Sequence, residues 1–163
     1  MRRILSIDPG YDRCGIAILQ KNEKGAITLL FSTCITTNRK DAFSLRLLAL
    51  RNELVNIVDE WQPTESCIEK LFFAKNTKTA LMVAEVCGVI RVTLEELTLH
   101  PIEYAPSEIK LAVTGYGNAD KQAVAYMTKK LLEIGEGKKL DDELDAIAVG
   151  VTHAFTYSFK DLH

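Results

Sequence analysis

The chain has 163 residues, 47% of them hydrophobic and 26% charged, and a formal net charge of -2. That length fits one domain with a substantial core, and no uncharged run approaches the roughly 18 apolar residues of a membrane span. Cys14, Cys34, Cys67 and Cys87 lie far apart in apolar contexts with no C-x-x-C pair. This argues against a disulfide framework or a thiolate metal cluster and for small buried side chains in a reducing, cytoplasmic setting.

Met1-Arg2-Arg3 leads into a strand almost at once, leaving no room for the apolar region of a signal peptide. Apolar runs and punctuating turn residues predict three strands, Arg3 to Asp8, Cys14 to Gln20 and Ala26 to Thr36, joined by short connections that favour antiparallel pairing. Leu47, Leu50, Leu54, Val58 and Trp61 recur at steps of three or four. They predict a core-facing helix over Ala42 to Trp61, closed by Pro63. A fourth strand follows from Ser66 to Phe72, and a second helix from Asn76 or Thr77 to about Leu97. Pro101 to Ala105 reads as a fifth strand. Pro106-Ser107-Glu108 opens a short helix that Gly115 stops, Ala119 to Ile134 forms another, and the last helix begins near Asp141. This order predicts one α/β domain spanning 1–163, with a mixed five-stranded sheet carrying helices on its faces.

Four acids stand out against this frame. Asp8 closes the apolar run Ile4, Leu5, Ile7, although Asp8-Pro9-Gly10 is also a common turn sequence. Glu69 sits among Cys67, Ile68, Leu71 and Phe72, where an unpartnered carboxylate costs several kcal/mol or loses its charge. Asp142 and Asp145 are three apart, on one helix face, and Ala146, Ile147, Ala148 and Val149 follow at once. Asp141 and Glu143 fit capping and solvent, since acids near a helix N-terminus complement its dipole. Four carboxylates converging from three distant segments repel one another unless a cation lies between them. Hard divalent ions such as Mg²⁺ take oxygen ligands and substrate phosphate, and a pair of them activates water and stabilises a leaving oxygen. No Ser-His-Asp or Cys-His arrangement is apparent, which fits metal-assisted phosphodiester cleavage. Setting the four acids aside as ligands turns the charge balance positive, so the net charge does not exclude a polyanionic substrate.

Lys75, Lys110 and Lys121 lie near the predicted loops, as a set suited to phosphates flanking the cleavage point, although each alone also reads as a solvated surface charge. Phe72 and Phe73 point to opposite faces of a strand, which leaves one to stack on bases. His153, eight residues beyond Asp145, is an auxiliary candidate that equally fits a partly buried structural role.

Through SIDPG, QPTESCIEKLFFAKN, PSEIKLAVTGYGNADKQ and DDELDAIAVGVTH, the chain resembles the RuvC family of bacterial Holliday (crossover) junction endodeoxyribonucleases. The resemblance implies an RNase H-like fold and a homodimer that nicks opposing strands of four-way junction DNA in recombination and repair. It also implies two Mg²⁺ per active site, with Mn²⁺ as a substitute, and loading by a RuvAB-type branch-migration complex. On its motifs Asp8, Glu69, Asp142 and Asp145 match the catalytic, metal-binding acids, Phe72 the junction-contacting aromatic, and Lys110 and Lys121 the basic active-site residues. The helix of about Asn76 to Leu97 matches the dimer-forming element. The opening around Asp8-Pro9-Gly10 and Arg13-Cys14-Gly15 is also similar to the YqgF-type RNase H-like nucleases of ribosomal RNA processing, against which IEKLFFAKN and the paired acids of DDELDAIA argue.

Overall fold

Ile4, Leu5, Ser6 and Ile7 are successive residues of the first strand and all are fully buried. Neighbouring side chains of a strand point to opposite faces, so this strand is covered on both sides and lies inside its sheet. The computed structural model, which describes residues 1–71, 77–135 and 141–157, shows the covering. Its five strands are β1 Arg2–Asp8, β2 Arg13–Lys21, β3 Ile27–Thr36, β4 Glu65–Glu69 and β5 Pro101–Tyr104, in the order β3-β2-β1-β4-β5. The first three form an antiparallel meander, while β4 pairs parallel with β1 and β5 parallel with β4. Parallel neighbours need long crossovers. Helix α1, Phe43–Trp61, lies on the path from β3 to β4, and α2, Thr77–Glu96, on the path from β4 to β5. Helices α3 Pro106–Thr114, α4 Lys121–Leu131 and α5 Asp141–Thr156 follow.

Strand alternation sorts the side chains into two cores. Ile4, Ala17, Leu19, Cys67 and Tyr104 pack with residues of α3, α4 and α5. Leu5, Ile7, Cys14, Ile16, Ile18 and Ile68 pack with residues of α1 and α2. Helices therefore cover both faces of the mixed sheet, as the element order predicts. Helix α5 lies directly on the sheet because glycine stands at its contact points. A Cβ on Gly15 of β2 would come within 1.9 Å of the Asp142 backbone oxygen, and one on Gly150 within 2.3 Å of Leu19.

The elements differ from their predicted bounds at several ends. Strand β4 stops at Glu69, short of the expected Phe72, because its neighbours β1 and β5 stop at Asp8 and Tyr104 and leave no ladder to extend. Helix α4 starts at Lys121 and not at Ala119, because the Asp120 side chain caps it, accepting from the Ala123 N–H at 2.8 Å. It ends at Leu131, ahead of Glu133, whose φ of 52° no helix continues. In α1 the expected Leu50, Leu54 and Val58 are buried, and Arg46 is buried with them. Cys14, Cys67 and Cys87 are buried thiols as expected, whereas Cys34 is only half-buried, at the rim of the site described below. Among the described residues, no helix is long and apolar enough to cross a membrane.

Candidate active site

Ile7 and Ile68 face the α1 and α2 core, so the next residues, Asp8 and Glu69, face α5. The β1 to β4 register aligns Ile7 with Ile68, which sets the two acids side by side at the ends of parallel strands. Gly15 is paired with Asp8 across β2, and its lack of a side chain lets the first turn of α5 settle over the same strand ends. Asp142 and Asp145 arrive on that turn. The structure thus brings together all four acids singled out in the sequence.

Their electrostatics follow from crowding. Burial pushes the Asp8 carboxyl well above its ordinary value, and the charges of Glu69, Asp145 and Asp142 push it further. Glu69 is raised by burial and by Asp145, against the hydrogen bond it shares with Asp8 and the pull of Lys121 and Lys110. Burial also raises Asp145, opposed by Lys121. Repulsion and desolvation together favour the neutral form, and the two strand carboxyls press on each other across the ends of β1 and β4. The helix acids are compensated differently. Lys121 Nζ lies 2.8 Å from Asp145 Oδ2, and Arg13 Nη2 lies 2.5 Å from Asp142 Oδ2.

An all-carboxylate donor set fits a hard divalent cation, and the cluster carries more negative charge than its own lysine and arginine neutralise. As the side chains stand, no three His, Cys, Asp or Glu groups among the described residues are drawn to one point tightly enough to hold an ion. Two carboxylates are instead turned onto internal cations, and two onto each other. Beside the acids, Glu69, Lys110, Lys121 and Asp145 line a cavity of about 200 Å³ with apolar walls from Ile109, Val124 and Ala148. Lys110 and Lys121 therefore stand at the acids as expected. Phe72, Phe73 and Lys75 lie outside the described residues. Asp141 is exposed, as expected of a capping acid, while Glu143 accepts a 2.6 Å hydrogen bond from Ser32 on β3.

His153 does not join this site. It is fully buried at the other end of α5, with Nε2 2.9 Å from Glu65 and Nδ1 3.0 Å from the Tyr104 hydroxyl. Arg2 completes the group with two 2.6 Å hydrogen bonds to Glu65. Eight helical positions turn His153 about 80° away from Asp145 and carry it about 12 Å along the axis, and the two together take it out of reach.

Three contributors were not singled out from sequence. Gly15 left a signal, since glycine inside a strand marks close backbone approach. Arg46 replaces an apolar residue one turn before Leu50 on a core-facing helix. It donates to the Tyr11 carbonyl at 2.6 Å, Asp12 at 2.8 Å and Thr37 at 2.8 Å, tying down the turn that follows Asp8. Arg13 left none, because its partner Asp142 is distant in the chain.

The family model described as crossover junction endodeoxyribonuclease RuvC matches residues 4–153. The chain belongs to the RuvC family. A RuvC of Finegoldia magna is 42% identical over 99% of this chain and 98% of its own length. One from Petrotoga mobilis is 40% identical over 97% of each. Among solved structures, Thermus thermophilus RuvC in complex with Holliday junction substrate superposes with a TM-score of 0.88, covering 95% of this chain and 94% of that one at 24% identity. That likeness establishes the RNase H-like fold. RuvC membership makes the chain a metal-dependent crossover junction endodeoxyribonuclease.

Proposed function

We propose that this chain is a Holliday junction resolvase, working as one RNase H-like domain per subunit of a homodimer that nicks opposing strands of a four-way DNA junction. The observation that carries the reading is the convergence of Asp8, Glu69, Asp142 and Asp145 on one end of the sheet, in a chain of this family. The four acids are the ligands of two Mg²⁺, with Mn²⁺ as a substitute. When bound there, a divalent pair supplies an activated water and charge stabilisation for the leaving oxygen.

The chain's own residues do the rest. Asp8 and Glu69 offer their carboxylates from the strand ends, Lys121 and Arg13 give up their hold on the helix acids, and Lys110 and Lys121 orient phosphate at the cavity mouth. The T. thermophilus relative was solved with a Holliday junction, and the same substrate suits this chain. A second reading, as a ribosomal RNA nuclease, rests only on the opening around Asp8-Pro9-Gly10 and Arg13-Cys14-Gly15, while the family match over residues 4–153 supports the junction reading.

Dimerisation through α2 accords with its surface. Leu81 and Val92 are 64% and 60% exposed, and eleven positions apart they share one face of the helix. A two-fold dimer presents the same surface twice to a junction of approximate two-fold symmetry, so paired incisions follow. A RuvAB-type complex is the proposed loading partner.

The test is cleavage of an end-labelled synthetic four-way junction, with linear duplex and single-stranded RNA beside it, in Mg²⁺ and in EDTA. Symmetric junction nicks abolished by EDTA are expected, and preferential RNA cutting would overturn the reading. Asp8→Asn is expected to bind junctions and not cut them. Retained cutting by that variant in Mg²⁺ would remove Asp8 from the site.

A further inference from the structure

Arg13 opens β2 and is unlike the other basic residues at the site. Lys110 and Lys121 come from α3 and α4 on the cavity side, next to Glu69 and Asp145. Arg13 reaches Asp142 from the opposite flank, off the sheet, at 2.5 Å from Oδ2. The Cys34 thiol on neighbouring β3 also donates to that oxygen, at 3.9 Å. The Arg13 side chain is 43% exposed and that of Asp142 26% exposed. Ion pairs this wet are weak and exchange readily. Nor is the pair needed to seat α5, which is fixed by the Gly15 and Gly150 contacts and by buried Leu144, Ile147, Val149 and Val151. A contact that the fold does not require sits on an oxygen that the proposed chemistry does require.

Resting on the reading of Asp142 as a metal ligand, we infer that Arg13 is a positioning residue that exchanges partners during loading: it neutralises Asp142 in the metal-free enzyme, yields it to the divalent ion, and then pairs with a DNA phosphate. The exchange keeps the metal-free acids from repelling one another and makes metal and DNA binding reinforce each other. Its planar, permanently charged guanidinium suits carboxylate and phosphate equally.

The test uses the full-length chain and two binding readouts. Mn²⁺ binding is measured by calorimetry without DNA, and junction binding in Ca²⁺ over a range of salt. Arg13→Ala is expected to bind Mn²⁺ more tightly by about threefold, the scale of a half-exposed ion pair. It is expected to bind the junction more weakly, with a shallower dependence of log K on log salt by about one unit per lost contact. Arg13→Lys restores most of the charge and is expected to fall between Arg13→Ala and wild type on both readouts. An unchanged Mn²⁺ affinity or an unchanged salt slope in Arg13→Ala overturns the exchange. Asp142→Asn separates the two levels of failure. If it binds Mn²⁺ as wild type does, Asp142 is no ligand and the site reading fails; if it loses Mn²⁺ while Arg13→Ala is unaltered, only the exchange fails. Arg13→Gln, which keeps the side chain's length, repeats the measurement should the alanine variant unfold.

Discussion

At the scale of single residues, Glu65 shows how a buried charge is held in this fold. Burial alone would raise its carboxyl, but hydrogen bonds from His153 and Arg2 outweigh it and hold the group at about 2, against an ordinary 4.5. A carboxyl depressed in the folded state stabilises the protein above its unfolded value and loses that contribution as pH falls toward the folded one. On the order of 3 kcal/mol is at stake. Urea midpoints measured between pH 6 and pH 2 are expected to fall below about pH 4.5, and Glu65→Gln to flatten that fall. His153→Ala is expected to cost roughly 3 kcal/mol, from the lost volume and the partner taken from Glu65. Calorimetry should find its Mn²⁺ affinity unchanged, since the ring lies far from the four acids. Gly15→Ala tests the opposite end of α5. Its methyl group would overlap the Asp142 backbone oxygen, so a loss of roughly 1 to 3 kcal/mol should accompany a larger relative loss of cleavage than of junction binding.

Between elements, the turn after Asp8 depends on a helix far from it in sequence. Arg46 of α1 is nearly buried, and its hydrogen bonds to Tyr11, Asp12 and Thr37 fasten that turn to the end of β3. Arg46→Leu removes the buried charge but strands Asp12, which among the described residues then keeps the exposed Arg39 at 3.0 Å. A loss of about 3 kcal/mol is expected. Lowered turnover with little change in junction affinity is the kinetic signature to look for. Such dependence explains what was legible in the sequence. Asp8 and Glu69 were, because an acid ending an apolar strand has few uses in a core. Asp142 and Asp145 were, because helical spacing places them together whatever the tertiary structure. Arg13, Gly15 and Arg46 were not, because each owes its role to a partner on another element. For His153 the sequence leaves an auxiliary and a structural role equally open, and only its partners on β4 and β5, Glu65 and Tyr104, decide for the structural one. The five strands and five helices were found in order, and their ends moved by a few residues where a cap or a missing neighbour overrode the apolar pattern.

Across the whole molecule, the sheet divides labour between its faces. The α5 face carries the acids, and the other carries α1 and α2, with Leu81 and Val92 presented outward. If the proposed homodimer forms through α2, Leu81→Glu or Val92→Glu is expected to give a monomer in analytical ultracentrifugation that retains its fold and metal affinity but nicks junctions one strand at a time. The acids themselves come from β1, β4 and α5, near the beginning, middle and end of the chain. On the proposed assignment, a polypeptide still emerging from the ribosome holds Asp8 and Glu69 well before Asp142 and Asp145 exist. Its sheet can assemble, yet it has no complete ligand set with which to cut. On that assignment the order of residues along the chain sets when cutting becomes possible, which is only once the final helix has docked.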